Sequence, residues 1–505
     1  MSFPLAISPS VKQPGLALLV NLISGAASPG TTALRACLMA PKSSSGTATV
    51  DTVVYESVPN ADEVATLAGV GTPAALTAKA IFAEYPLAKL DFVAVTAGAG
   101  VAATGTITLD DTSPVTVAQE LTVKICGRPV SITWAAAELD TDAAARLKLA
   151  IDAASRDLPV TAGVVGAVIT LTARYPGPWG NDVTMEYTLT GGAGGAVTLS
   201  GAALASGATE PTFATALATI AGREYDFILP VVSNADAQSA SSTSNPGRVK
   251  THITTYQTGL SAKLQMAVLG ATAGISAIKT GTGGRNFGPM QYVFCQNGRS
   301  LGCEFAGAEL GRRMREESID PAFNGIGQAY RAVLYGSTDL LADALLDSEQ
   351  QDLLSTGVTP VGYDSSGAPI VIRPITTYHK DANSNADDRL LDTSRVSGLY
   401  AVAKDIRTAL PQQFPNRKLS DDIGDGEELP DGVTTISEVK AFIITRLRFW
   451  QRRGVVRKDK LDAAIADASL VVRVNPSDNT QCDIVIPLAI VPPLAKFSVV
   501  VNQQT

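Results

Sequence analysis

Histidine is almost missing from this chain, with only His252 and His379 among 505 residues. A Ser-His or Cys-His nucleophile would have to use one of them. They lie in different regions with no cysteine or carboxylate at ligand spacing, and His379 stands beside Lys380 and Asp381 in a polar run, where it reads as solvated. The five cysteines, Cys37, Cys126, Cys295, Cys303 and Cys482, form no C-x-x-C pair. An odd, scattered set indicates neither a disulfide framework nor a zinc site, and reads as reduced thiols of a protein made in a cytoplasm. No H-E-x-x-H, G-x-G-x-x-G or phosphate-loop pattern occurs, and the Gly281–Arg285 run GTGGR lacks the Lys-Ser/Thr pair that would make it one. Adjacent acids such as Asp387-Asp388 and Asp421-Asp422 fall in polar loops and read as surface. We therefore assign no catalytic, cofactor-binding or metal residue and expect no cofactor.

Charge is also sparse. Charged residues make up 17%, with 40 Lys and Arg against 48 Asp and Glu, a net charge of -8. That balance argues against a nucleic-acid coat, which needs a dense basic field. No apolar run approaches the ~18 residues of a membrane span. The start, MSFPLAISPSVKQPG, has no charged leader and is broken by Pro4, Pro9 and Pro14, so it makes a poor signal peptide. Aromatic residues are 6%, and Trp134, Trp179 and Trp450 each fall in or beside an expected core element. A glycan-binding or glycan-cleaving protein, the alternative reading, would want such rings exposed.

What the chain does have is length, small residues and clear changes of period. Its 505 residues exceed the size at which one core stops growing, about 250–300 residues, so two to four domains are expected. Residues Met1 to Ser28 alternate Phe3, Leu5, Ile7, Leu16, Leu18, Val20 and Leu22 among prolines, the pattern of an extended arm with β-capable pieces. From Thr31 strands and helices alternate: ALRACLMA and DFVAVTA as strands, Ala61–Leu67 and Ala74–Phe82 as helices. Between Gly98 and Ala208 the composition shifts to Gly, Ala and Thr with alternating β runs and one helix, Asp142–Ala154, capped by Asp140 or Thr141. The Gly-rich borders of this stretch suit flexible joints to a separate body. After Glu210 the α/β order resumes, with helices expected at Val249–Leu260, Ala306–Glu316 and Thr338–Leu354. Near the end, Thr435 and Glu438 form a capping box before a helix whose stripe is Ile436, Val439, Ile443, Leu447 and Trp450. Lys440, Arg446, Arg448, Arg452 and Arg453 project from it as a contact surface for an acidic partner. After Pro492-Pro493, Phe497, Val499 and Val501 alternate in a last strand.

The stretch Pro369–Asp422 is the most distinctive. Ile370 and Ile372 alternate, a polar loop runs through His379–Asp388, and Leu399, Val402, Ala403, Ile406 and Leu410 recur at helical spacing until Pro411, which should end the helix. Its ordered text, "LLSTGVTPV", "IVIRPITTY", "RLLDTSRVSGLYAVAKDIR" and "FPNRKLSDD", resembles the C-terminal part of contractile tail sheath proteins of the Mu-like bacteriophage type. The resemblance extends more loosely from about Thr31 to the C-terminus.

It implies a non-enzymatic α/β (α+β) multidomain protein: an N-terminal arm (1–28), an α/β sheath domain (29–97 and 209–365), an inserted β-rich outer domain (98–208), a C-terminal sheath domain (366–491) and a C-terminal arm strand (492–505). It further implies a homo-oligomer of stacked hexameric rings in a helical sheath, partnered by a tail tube protein, baseplate and tail terminator proteins, with no nucleic acid and no membrane insertion. The location implied is the virion tail, assembled in the host bacterial cytoplasm. Lys440, Arg446, Arg448, Arg452 and Arg453 would face the tube or a neighbour. Phe3, Leu5, Ile7, Leu16, Leu18, Val20, Phe497, Val499 and Val501 would be the arm residues that join neighbouring subunits.

Overall fold

The structure, a computed structural model, describes residues 33–97, 100–259, 262–272, 274–333, 344–420 and 432–495. Its largest element is an eight-stranded sheet in the order Pro369–Val371, Thr359–Tyr363, Met290–Phe294, Met266–Ala271, Phe227–Pro230, Arg35–Pro41, Lys89–Val95, Tyr55–Val58. The six inner strands are parallel, and each outer strand is antiparallel to its neighbour. Parallel strands need crossovers, and crossover helices cover both faces, so the inner strands are mostly apolar, with Asp91, Gln291 and Thr359 as buried polar exceptions. Along Arg35–Pro41, Ala36, Leu38 and Ala40 face the helices Pro73–Glu84 and Gly302–Glu317. Cys37 and Met39 face Ala214–Ile220 and Asn245–Tyr256 on the opposite side. The mixed α/β class expected from the sequence holds.

Strands between residues 104 and 199 make two further antiparallel sheets. Ala196–Leu199, Thr104–Asp110, Val168–Ala173 and Val160–Val165 form one, and Arg128–Trp134, Gln119–Ile125 and Met185–Thr190 the other. Helix Asp140–Ala153 packs on them through Ala143, Ala144, Leu147 and Ile151. Among the described residues no strand of this insert joins the eight-stranded sheet. At the C-terminal end, helices Thr393–Gln413, Ile436–Arg452 and Lys458–Ala466 are accompanied by two small sheets: parallel Lys418–Ser420 with Val433–Thr435, and the antiparallel ribbon Val471–Asn475 with Asp478–Val485.

Several expected boundaries move. Helix Thr393–Gln413 runs through Pro411. In the last turn the proline forfeits only its own N–H bond, and the Phe414 N–H still reaches the Leu410 carbonyl at 3.1 Å. The insert's helix starts at Asp140 with Leu139 at its cap position, because Asp111 accepts the Asp140 N–H at 3.3 Å. Helix Gly302–Glu317 starts four residues before Ala306, since Glu304 reaches back to the Leu301 N–H at 3.0 Å and closes its first turn. The helix expected at Thr338–Leu354 is described only as Asp347–Ser355: residues 338–343 lie outside the described residues, and 344–346 are not helical, Glu349 accepting the Leu346 N–H at 2.8 Å to close the first turn. The 365/366 boundary cuts a hairpin, because Thr359–Tyr363 pairs with Pro369–Val371 around a turn in which Asp364 accepts the Ser366 N–H at 2.8 Å. In GTGGR, Gly281 and Gly283 end helix Ile275–Gly283, and Arg285 is buried against Tyr292 Oη and Ser244 Oγ at 3.1 and 2.8 Å.

Candidate assembly site

The helix Ile436–Arg452 forms as its sequence pattern dictates. Thr435 Oγ1 accepts the Glu438 N–H at 3.3 Å, and Val439, Ile443, Leu447 and Trp450 are buried in one stripe. Phe442 adds an edge-on contact to Phe414, 5.6 Å between centroids, which seats the helix near the end of Thr393–Gln413. The cationic residues then divide. Arg446 forks onto Asp405 of helix Thr393–Gln413, a carboxylate that burial raises and Arg446 pulls back. Arg448 pairs with Asp462 and donates to Gln451 Oε1 at 2.7 Å. Arg453 lies over the Trp450 ring and donates to the Ile319 carbonyl at 2.9 Å. Lys440 and Arg452 have no ion-pair partner among the described residues. Three of the five cations thus have a partner within the chain, because 3.6-residue spacing carries arginines onto flanking helices as easily as onto solvent, while Arg448 and Arg453 also keep solvent access.

The nine arm residues, Phe3 to Val20 and Phe497 to Val501, lie outside the described residues, as does the acidic loop 421–431. What is described is the ribbon near the C-terminus. Val471–Asn475 and Asp478–Val485 pair with each other, and neither strand has a second neighbour among the described residues. The chain then runs back across the molecule. Arg457 N–H donates to the Ala489 carbonyl, Val491 N–H to the Val455 carbonyl, each at 2.9 Å, and Asn324 reaches the Leu494 carbonyl at 3.4 Å.

A second centre, which the sequence reading passed over, is helix Gly302–Glu317. It carries Glu304, Glu309, Arg312, Arg313 and Glu317, all buried. Glu309 accepts from Arg312 at 2.7 and 2.8 Å, from Gln291 at 2.8 Å and from Tyr330 at 3.1 Å. Burial raises the Glu309 carboxyl, but Arg312 and Arg313 outweigh it and hold the group below the usual range. Arg313 donates to Glu317 at 2.6 Å, to Gln291 at 2.9 Å and to Ser397 at 2.8 Å, with its guanidinium 4.8 Å from the Phe227 ring centre. One helix thereby ties the sheet, the Tyr330 loop and helix Thr393–Gln413 together. Gly307 and Gly311 let it approach Pro73–Glu84 closely: a Cβ would stand 2.7 Å from the Thr77 carbonyl oxygen and 2.5 Å from that of Ile81. The text GAELGRRMREE held the signal, with glycines four apart beside Glu and Arg pairs three and four apart.

A groove of about 490 Å³ beside Phe227, Met266, Tyr400, Lys404 and Trp450 is lined by neither histidine nor cysteine. His252 is buried, and burial pushes its imidazole down to about 4. Among the described residues no cluster of three His, Cys, Asp or Glu could hold a metal ion, and no helix is long and apolar enough to cross a membrane. Trp134, Trp179 and Trp450 are buried, leaving no tryptophan platform for a sugar.

No family model matches the chain. It is 24% identical over 367 residues, 70% of either chain, to the Mu-like prophage FluMu tail sheath protein of Haemophilus influenzae. Among solved structures, the sheath tail protein of Desulfitobacterium hafniense is 12% identical with a TM-score of 0.45, covering 93% of this chain and 98% of that one. The helical sheath of the anti-feeding prophage in its contracted state is 10% identical with a TM-score of 0.44, covering 99% and 100%.

Proposed function

We propose that this sheath subunit polymerises as stacked hexameric rings around a tail tube, linked by exchanged terminal strands, and contracts to drive the tube through the host envelope. The observation that supports this most is the C-terminal ribbon. A two-stranded ribbon is marginal alone, and among the described residues neither of its strands has a second strand neighbour. Strands carrying Phe3, Leu5, Ile7, Leu16, Leu18 and Val20, or Phe497, Val499 and Val501, would satisfy those edges when supplied by neighbours. Such straps keep subunits linked while bodies rotate. Contraction then draws on a metastable assembly, with tube, baseplate and terminator proteins as partners and no nucleotide.

The test is truncation of the purified protein, followed by negative-stain microscopy. Deleting residues 1–22, or everything after Val491, is expected to abolish tubes while leaving the subunit's unfolding transition nearly unchanged. The second deletion spares the Val491–Val455 hydrogen bond. Contractile tubes from either truncation would refute strand exchange.

A further inference from the structure

We infer that the insert is clamped to the body and moves with it as one unit, and that Arg128 on Glu304 is the clamp. The hairpin joining Gln119–Ile125 to Arg128–Trp134 turns at Cys126 and Gly127, with φ values of 49° and 70°. Hairpin tips normally face water. This one is driven into the body: Cys126 is fully buried, and a Cβ on Gly127 would stand 2.7 Å from Arg299 Cβ. Directly after the turn, Arg128 forks onto both oxygens of Glu304, which is 2% exposed. Glu304 is the residue that closes the first turn of helix Gly302–Glu317, so the clamp grips the helix that ties the body together.

Two further footholds stand on other elements. The loop after helix Asp140–Ala153 presses on Gly71, where a Cβ would stand 2.4 Å from the Leu158 carbonyl oxygen, and Lys79 pairs with Asp157 beside it. In the turn Pro178–Asp182, Asp182 accepts the Asn234 N–H at 2.9 Å. Contacts on three separate elements leave no axis about which the insert can swing, despite its Gly-rich borders. If the body rotates during contraction, as the proposed function requires, the insert turns with it.

The test is hydrogen exchange on the soluble full-length subunit, comparing wild type with Arg128→Met. Removing the guanidinium leaves the Glu304 carboxylate buried without its partner, so local opening should rise about 100-fold. Exchange should quicken in 119–134 and in the first turn of Gly302–Glu317, while Met290–Phe294 and Val160–Ala173 keep wild-type rates. Unchanged protection at 119–134 would overturn the clamp. So would acceleration spread evenly over the chain, which would mean that Arg128 supports the fold and not the joint. A milder variant, Arg128→Lys, keeps one donor and should fall between the two. Absence of tubes from wild type would strike the sheath reading and leave this result standing.

Discussion

The body and the C-terminal ribbon solve the same problem in opposite ways. The eight-stranded sheet has both faces covered by helices and buries its charges in completed pairs, whereas the ribbon is two strands with nothing beyond them among the described residues. A sheet that satisfies itself has no need of a neighbour, and an incomplete one does. The difference teaches where to look for assembly: at the element with no second strand neighbour among the described residues, not where charge is densest. Arg312 and Arg313 are the most buried cations of the described chain, at 2% and 1% exposure, and both are occupied.

The contrast can be broken most severely from the body's side. Arg313→Met would leave Glu317 and Gln291 buried without their donor and is expected to lower stability by about 3–5 kcal/mol, read from urea denaturation. A loss below about 1 kcal/mol would mean that the pair is not what holds the body. Next comes Gly311→Ala, whose new methyl meets the Ile81 carbonyl oxygen at 2.5 Å. Overpacking of this kind costs about 1–3 kcal/mol, and a thermal melt should fall accordingly.

A smaller effect concerns pH. Burial pushes the carboxyls of Asp182 and Glu210 up to about 7, with Asp236 adding to the rise at Glu210. Groups with raised folded values hold protons that the unfolded chain has released. Their contribution is therefore complete at low pH and is lost as pH rises towards 7, with a slope of up to about 1.4 kcal/mol per pH unit for each. Stability measured from pH 5 to 8 should fall, and Asp182→Asn with Glu210→Gln should flatten the curve. The smallest effect is expected of Lys440→Glu with Arg452→Glu. Exposed charges are worth about 0.2–1 kcal/mol each, so the fold should be unmoved. If tails also assemble normally, these two cations are solvated surface and not a contact.

Much of the body was legible in sequence because its elements obey one period each. The strands Arg35–Pro41 and Lys89–Val95 are mostly apolar, interrupted in the second by Asp91, and Ile436–Arg452 announces its start with Thr435 and Glu438. What escaped was whatever depends on two distant segments meeting. Glu304 looks like an ordinary first-turn acid until Arg128, 176 residues away, closes on it. Glycines 307 and 311 look like weaknesses in a helix until Pro73–Glu84 lies against them. Arg446 looks outward on a helical wheel and is drawn onto the buried carboxylate of Asp405. Pro411 was misjudged for a local reason, since a proline ends a helix only where later turns depend on its N–H.

The thiols have a consequence for durability. Cys37, Cys126, Cys295 and Cys303 are all buried, and burial pushes Cys126 and Cys303 up to about 12, while the half-buried Cys482 is pushed up to about 11. Oxidation and disulfide exchange start from the thiolate, which at neutral pH is then present in trace amounts at these three positions. If the proposed function holds, the subunit leaves the reducing cell in which it is made, and these thiols would meet air without forming the cross-links that would weld neighbours together.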